Sequence, residues 1–197
     1  MKINIIRIAY MATILAYLSM PAVQAQEYEV VTCVNENNNV PASTPTAQFT
    51  LHSNGTATDT ATGLMWMRCS LGQTWNGSTC TGSAATYNWQ QALQVVQGVN
   101  SGTSNADNDN AVGFAGYIDW RLPNKNELES IVEHRCWAPA INATIFPNMP
   151  TNIWYWSSSP LAYYSISVWG VTFYDGYVSW LSKSDSNVRV RLVRAEQ

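Results

Sequence analysis

GFAGYIDWRLPNKNELESIVE, residues Gly113–Glu133, runs an aromatic-rich segment, a rigid turn and a capped helix into one continuous stretch. Tyr117, Ile118 and Trp120 read as a short buried strand. Arg121-Leu122-Pro123 continues in extended form, because a residue before proline is pushed out of the helical region. A helix is predicted to begin immediately afterwards. Asn124 is a strong N-cap, and Glu127, three residues on, can reach back to the Asn124 amide, so Asn-x-x-Glu makes a capping box. Leu128, Ile131 and Val132 then fall at i, i+3 and i+4 on one apolar face, with Lys125, Asn126, Glu129 and Glu133 on the other.

Working outward, the chain opens with Lys2 and Arg7, an apolar run from Ile8 to Met20, and Val23-Gln24-Ala25 at the positions a signal peptidase reads. Residues 1–25 are therefore expected to be a secretory signal peptide; the apolar run is short for a membrane span, which needs about 20 residues. The chain carries ten basic and thirteen acidic residues. Cleavage removes Lys2 and Arg7 and makes the balance more acidic, which disfavours a nucleic-acid partner. Only 12% of the chain is charged, against nine tryptophans and ten tyrosines, so aromatic packing rather than surface ion pairing is expected to hold the loops.

The four cysteines, Cys33, Cys69, Cys80 and Cys136, all follow the expected cleavage site. An even count in an exported chain reads as two disulfides. Three connectivities are open. The favoured one joins Cys69 to Cys80, closing the Gly/Asn/Ser/Thr-rich loop SLGQTWNGST, and Cys33 to Cys136, tying the N-terminal segment to the end of the central helix. A zinc site is the poorer alternative, since no CxxC pair exists and His52 and His134 are far apart in sequence.

Residues 26–48 are polar and Pro/Asn-rich and read as a tether pinned at Cys33; the folded domain is expected over 49–197. Within FTLHSNGTATDT, Asn54-Gly55 is a strong hairpin signal. Thr62-Gly63 makes the next turn and Leu64–Met67 a buried strand. Asn88 with Gln91 offers a second capping box, and Ala92, Leu93, Val95, Val96 and Val99 supply the buried stripe of a first helix. In the following linker, Asn105, Asp107, Asn108, Asp109 and Asn110 admit two readings, a calcium-holding loop or a solvated turn cluster. Past Cys136, Phe146-Pro147 and Met149-Pro150 forbid a continuing helix. Trp154–Ser157, Ser167–Phe173, Tyr177–Leu181 and Val188–Val193 read as strands, with Asp175-Gly176 as a tight turn. The order is an α+β one, with two helices, short antiparallel strands and long irregular loops.

DWRLPNKNELESIVE, together with NGTATDTATGLMWMRC upstream and WSSSP, VWGVTF and VRLVR downstream, resembles the Lcl C-terminal domain family, named after a bacterial collagen-like adhesin. The central run is also similar to the RLP-containing run of formylglycine-generating-enzyme-like domains, which share a C-type-lectin-like fold. The resemblance covers about Phe49 to Arg194. It implies a C-type-lectin-like fold and a bacterial, secreted, periplasmic or surface-exposed adhesin-type binding domain; the naming adhesin binds sulfated polysaccharides. The formylglycine-generating relatives depend on a cysteine pair late in the domain, and here no cysteine follows Cys136.

Other catalytic readings fare no better. WSSSP lacks the glycines of a nucleophile elbow, and Glu127, Glu129 and Glu133 read as a polar helix face rather than paired glycosidase carboxylates. No enzyme activity is expected. Between Pro160 and Asn187, by contrast, the chain is rich in Tyr, Trp, Ser, Asn and Asp, the composition of a paratope: aromatic area at small entropic cost, with adaptable hydrogen bonds. Trp66, Trp120, Trp156, Trp169 and Phe173 are assigned to the core. Tyr163, Tyr164, Tyr174, Tyr177 and Trp180 sit beside turns and are the expected ligand contacts, with Asp175 and Lys183 as polar partners. In VRVRLVR, Val188, Val190 and Leu192 are expected on one face and Arg189 and Arg191 on the other, with Arg194 beyond. That second face is read as an exposed, locally paired strand surface in preference to an anion site. The expected partner is an extracellular glycan or protein, with no membrane span after cleavage; a structural subunit of an envelope or fibre assembly is the alternative. The sequence leaves the oligomeric state open.

Overall fold

A computed structural model describes residues 30–104 and 111–195. The expected signal peptide and the Asn105–Asn110 run lie outside the described residues. The strands are β1 (Asn35–Glu36), β2 (Phe49–Leu51), β3 (Thr56–Asp59), β4 (Leu64–Met67), β5 (Thr74–Trp75) and β6 (Cys80–Thr81), followed by helices α1 (Trp89–Ser101) and α2 (Lys125–Glu129). After them come β7 (Cys136–Trp137), β8 (Trp154–Pro160), β9 (Ser167–Thr172), β10 (Val178–Ser182) and β11 (Val193–Ala195). All strand pairing between these elements is antiparallel, in a sheet ordered β11-β4-β3-β2, a sheet ordered β10-β9-β8, and the small pairs β1-β7 and β5-β6. The α+β class read from the sequence is the class observed.

Local chemistry sets the first sheet. At the β2–β3 turn, Asn54 Oδ1 accepts from the Thr56 amide and hydroxyl, and Gly55 takes a φ of 84°. A side chain at Gly55 would run into the Trp75 ring at 2.8 Å. At the β3–β4 turn the buried Asp59 carboxylate accepts from Gln48, the Ala61 amide and the Thr62 hydroxyl.

Both capping boxes form, at Asn88/Gln91 and Asn124/Glu127. α2 nevertheless ends after five residues. The Ser130 hydroxyl donates to the Glu127 carbonyl at 2.7 Å, a local bond that competes with helix continuation. Leu128, Ile131 and Val132 all reach the core as expected, but the last two do so from the turn that follows the helix.

The strand expected over Tyr117–Trp120 is not present. Positive φ at Gly113, Ala115 and Gly116 folds the chain into a tight turn closed by paired backbone bonds between Phe114 and Tyr117. This leaves Ile118 63% exposed while Trp120 is buried, its indole donating to the Phe114 carbonyl. Only Arg121 joins a sheet, by a two-bond bridge to Val193.

The two larger sheets each feed two core clusters. Trp66 with Tyr155, Val171 and Phe173 lies in one, built around Leu128, Ile131 and Ile141. Met65 and Met67 with Trp156 and Val168 lie in the other, against Ala92, Val96 and Val99 of α1 and against Trp120. Alternation along β4 and β8 thus sends successive side chains to opposite clusters.

The segment 188–192 corrects the expected exposed basic face. Val188, Val190 and Leu192 are buried as predicted, but Arg191 is only 1% exposed. The backbone here is bonded on two sides: Leu71 and Met67 amides donate to Val190 and Leu192 carbonyls, while Arg189 exchanges bonds with Trp154 and Trp156. Of the second face, Arg189 is half-buried and donates to the Ala84 carbonyl, and Arg191 is enclosed. Arg191 donates through Nη1 to the Met67 and Arg68 carbonyls, and its guanidinium stands 4.7 Å from the Phe146 ring centroid. Burial pushes its pKa down to about 10, so it remains charged at neutral pH. Arg194 is also buried and pairs with Asp119 at 2.7 Å.

The disulfides are Cys33–Cys136 and Cys69–Cys80, the favoured connectivity. Residues 30–48 are fastened at more points than Cys33. β1 pairs with β7, Arg135 Nε donates to the Val40 carbonyl, and the buried Glu133 carboxylate accepts from the Ser43 and Thr44 amides and the Thr44 hydroxyl. Among the described residues no helix is long and apolar enough to cross a membrane.

Candidate ligand-binding surface

The β9–β10 hairpin carries most of the residues expected to meet a ligand. Its turn is built by Asp175, whose Oδ1 accepts from the Tyr177 amide at 3.0 Å, and by Thr172, whose hydroxyl oxygen accepts from the Tyr174 amide. Gly176 holds a φ of 82° against Val132, where a Cβ would approach Cγ1 to 2.5 Å. Side chains at Tyr174 and Tyr177 are thereby turned outward. At the other end, Ser167 donates its amide to the Tyr164 carbonyl and accepts from the Leu161 amide. This short closed loop holds Tyr163 and Tyr164 away from the core.

All five expected aromatic contacts are exposed, Tyr163 by 82%, Tyr164 by 51% and Trp180 by 55%. They do not form one site. Tyr163 packs edge-on to Tyr164 at 4.6 Å between centroids, and Tyr164 lies 6.4 Å from Trp180. Lys183 adjoins this end of the hairpin, donating to the Ser165 carbonyl at 2.6 Å and standing 4.7 Å from the Trp89 ring centroid. Tyr174 and Asp175 lie at the opposite end, on the turn. Tyr177 stands against Trp154 at 6.2 Å, and by register it belongs to the sheet face opposite Trp180.

Three aromatics were missed by reading the sequence as a surface. Trp169, assigned to the core, is only half-buried; it pairs directly across from Trp180, and Lys125 of α2 stands 5.9 Å from its ring. Trp89 sits at the start of α1, where its helical position masked its contact with Lys183. Trp137 is 45% exposed although it directly follows a buried cysteine, in what reads as a plain connection. The pairings that expose these rings join residues distant in sequence, and no local pattern reports them.

The carboxylates that could suggest acid–base chemistry are engaged elsewhere. Glu127 pairs bidentately with Arg121 at 2.7 and 2.8 Å and also accepts from the Asn124 amide. The Arg121 contact, ahead of the capping amide, holds its carboxyl below the usual range. Burial opposes the charge on Glu133, but hydrogen bonds from Arg135, Ser43 and Thr44 outweigh it and leave that carboxyl depressed as well. Glu129 pairs with Lys125 at 3.3 Å. Among the described residues no group of three or more His, Cys, Asp or Glu side chains is placed to hold a metal ion.

What the surface offers is therefore stacking area and hydrogen bonds on a cross-linked frame. Comparison with curated proteins gives no sequence match. The family model described as the Lcl C-terminal domain matches residues 55–194, from the first hairpin turn to the last strand, and the chain belongs to the Lcl C-terminal domain family.

Proposed function

We propose that this chain is an exported, non-enzymatic binding domain of adhesin or lectin-like type that recognises an extracellular glycan or protein through the Tyr163/Tyr164/Trp180 surface. The observation that carries the reading is this contiguous exposed aromatic cluster, in which the loop between β8 and β9 sets Tyr163 and Tyr164 beside Trp180 of β10. Rings so placed can stack on apolar faces of a sugar or pack against a protein, and the neighbouring serines add adaptable hydrogen bonds. Two disulfides fit an oxidising compartment outside the cytoplasm. They also restrict the frame, so that little ordering entropy is lost on binding.

The test is a glycan array probed with the oxidised domain beside a Tyr164→Ala/Trp180→Ala double variant. Loss of array binding in the variant, with thermal stability retained, supports the reading. Equal binding by both proteins refutes it.

A second reading, a structural subunit of an envelope or fibre assembly, is favoured by one feature. β10 is an edge strand that carries exposed Trp180, and open edges can pair between chains. Sedimentation over a wide concentration range separates the two: self-association abolished by Trp180→Ala favours assembly, and a concentration-independent monomer favours the binding domain.

A further inference from the structure

A groove of about 680 Å³ lies at the opposite end of the hairpin from Tyr163 and Tyr164. Residues 36–40 of the N-terminal segment form one wall, residues 134–137 the other, and Asp175 closes one side. This volume falls within the roughly 300–1,000 Å³ typical of small-molecule sites.

The groove is built from fixed parts. Cys33–Cys136 and the β1–β7 pair join its two walls, and the Asn37 amide donates to the Arg135 carbonyl at 2.9 Å. Asn35 Nδ2 reaches the Trp137 carbonyl at 3.1 Å, and the Ala138 amide donates to the Tyr174 carbonyl, which ties the hairpin turn to the same wall. Beneath them, Glu133 clamps Ser43 and Thr44.

We propose that this groove is a saccharide-binding site in its own right, selective for sugars without acidic groups. Trp137 supplies an exposed indole face on which a pyranose can stack. The groove is also lined by Glu36 and Asp175, which carry carboxylates, and by Asn38 and Asn39, which carry amides, planar polar groups of the kind that grip vicinal hydroxyls in pairs. Among the described residues neither carboxylate is in a salt bridge. The guanidinium-bearing residue of the lining, Arg135, is buried and spends its Nε on the Val40 carbonyl. A sulfate or carboxylate entering the groove meets two carboxylates against the single positive charge of buried Arg135, a net repulsion that a neutral or amino sugar escapes. The site shares no residue with the Tyr163/Tyr164/Trp180 surface, so the two stand or fall separately.

The experiment is isothermal titration of the oxidised domain with trisaccharides of glucose, N-acetylglucosamine and glucosamine, and with a sulfated trisaccharide. At least one of the three non-acidic sugars is expected to bind, and the sulfated one to bind at least tenfold more weakly. Trp137→Ala is expected to weaken binding tenfold or more, and Trp137→Tyr, which keeps a stacking ring, to restore most of it. Glu36→Gln with Asp175→Asn is expected to abolish the discrimination against sulfate without loss of thermal stability. Trp180→Ala leaves this binding unchanged. Binding by none of the three sugars, equal binding of the sulfated one, or indifference to Trp137→Ala overturns the proposal; loss through Trp180→Ala instead assigns the sugar to the other surface.

Discussion

Two buried charged side chains, Glu133 and Arg191, are held in different ways. Glu133 receives three backbone amides and one hydroxyl. Its carboxyl is depressed below the ordinary value of 4.5, so the ionised form favours the folded state. That contribution is complete above the unfolded pKa and disappears as the pH falls through the folded one. Glu133→Gln is expected to cost about 1–3 kcal/mol near neutrality. In urea titrations below pH 4.5 the gap between wild type and variant should shrink; a gap constant with pH would count against the clamp. Arg191 has carbonyls, rings and a thioether around it rather than a carboxylate. Truncation in Arg191→Ala would strand the Met67 and Arg68 carbonyls beside a cavity and is expected to lower stability by about 3 kcal/mol or more, read as a denaturation midpoint. That arginine was not legible in the sequence. Alternation along VRVRLVR reports a two-sided strand, but which side meets water depends on Leu71 and Trp154, which bond the segment from either flank.

Elements whose form is decided by short-range chemistry are legible in the sequence. The two Asn-led capping boxes, the Asn54-Gly55 hairpin and the Asp175-Gly176 turn need only neighbours in sequence. α2 is too short to persist through its own backbone bonds, and its start depends on Asn124. Asn124→Ala is expected to cost about 1 kcal/mol, measured by chemical denaturation, with little change in the ligand surface. Gly176→Ala combines a left-handed φ with a close approach to Val132. It is expected to cost more than 1 kcal/mol and to disturb the Tyr174/Asp175 turn, visible as shifted amide resonances confined to residues around 172–178. The missing strand at Tyr117–Trp120 has the same kind of cause as the correct predictions. Its aromatic pattern suggested extension, but Gly113 and Gly116 flank it closely, and the backbone approach of Gly113 to the Tyr117 carbonyl excludes any side chain there.

For the molecule as a whole, the two disulfides do unequal work. Cys33–Cys136 spans 103 residues and Cys69–Cys80 spans 11. On chain-entropy grounds, removing the first by paired Cys→Ser changes should cost about 4–5 kcal/mol and removing the second about 3. Thermal melts of the two variants test that order, and the first should also expose residues 30–48 to proteolysis. The cysteine pairing was legible because only one connectivity closes a short polar loop and anchors the N-terminal segment. The grouping of the surface aromatics was not, because it depends on register between distant strands: Trp180 comes to lie beside Tyr164, and Tyr177 beside Trp154. The ligand role proposed for Tyr163, Tyr164 and Trp180 can be read from affinity. The most direct measurement is the dissociation constant for an array-identified ligand with wild type and with Tyr164→Ala/Trp180→Ala. At least a tenfold loss at unchanged thermal stability is expected if these rings meet the ligand; binding within twofold of wild type would rule that role out.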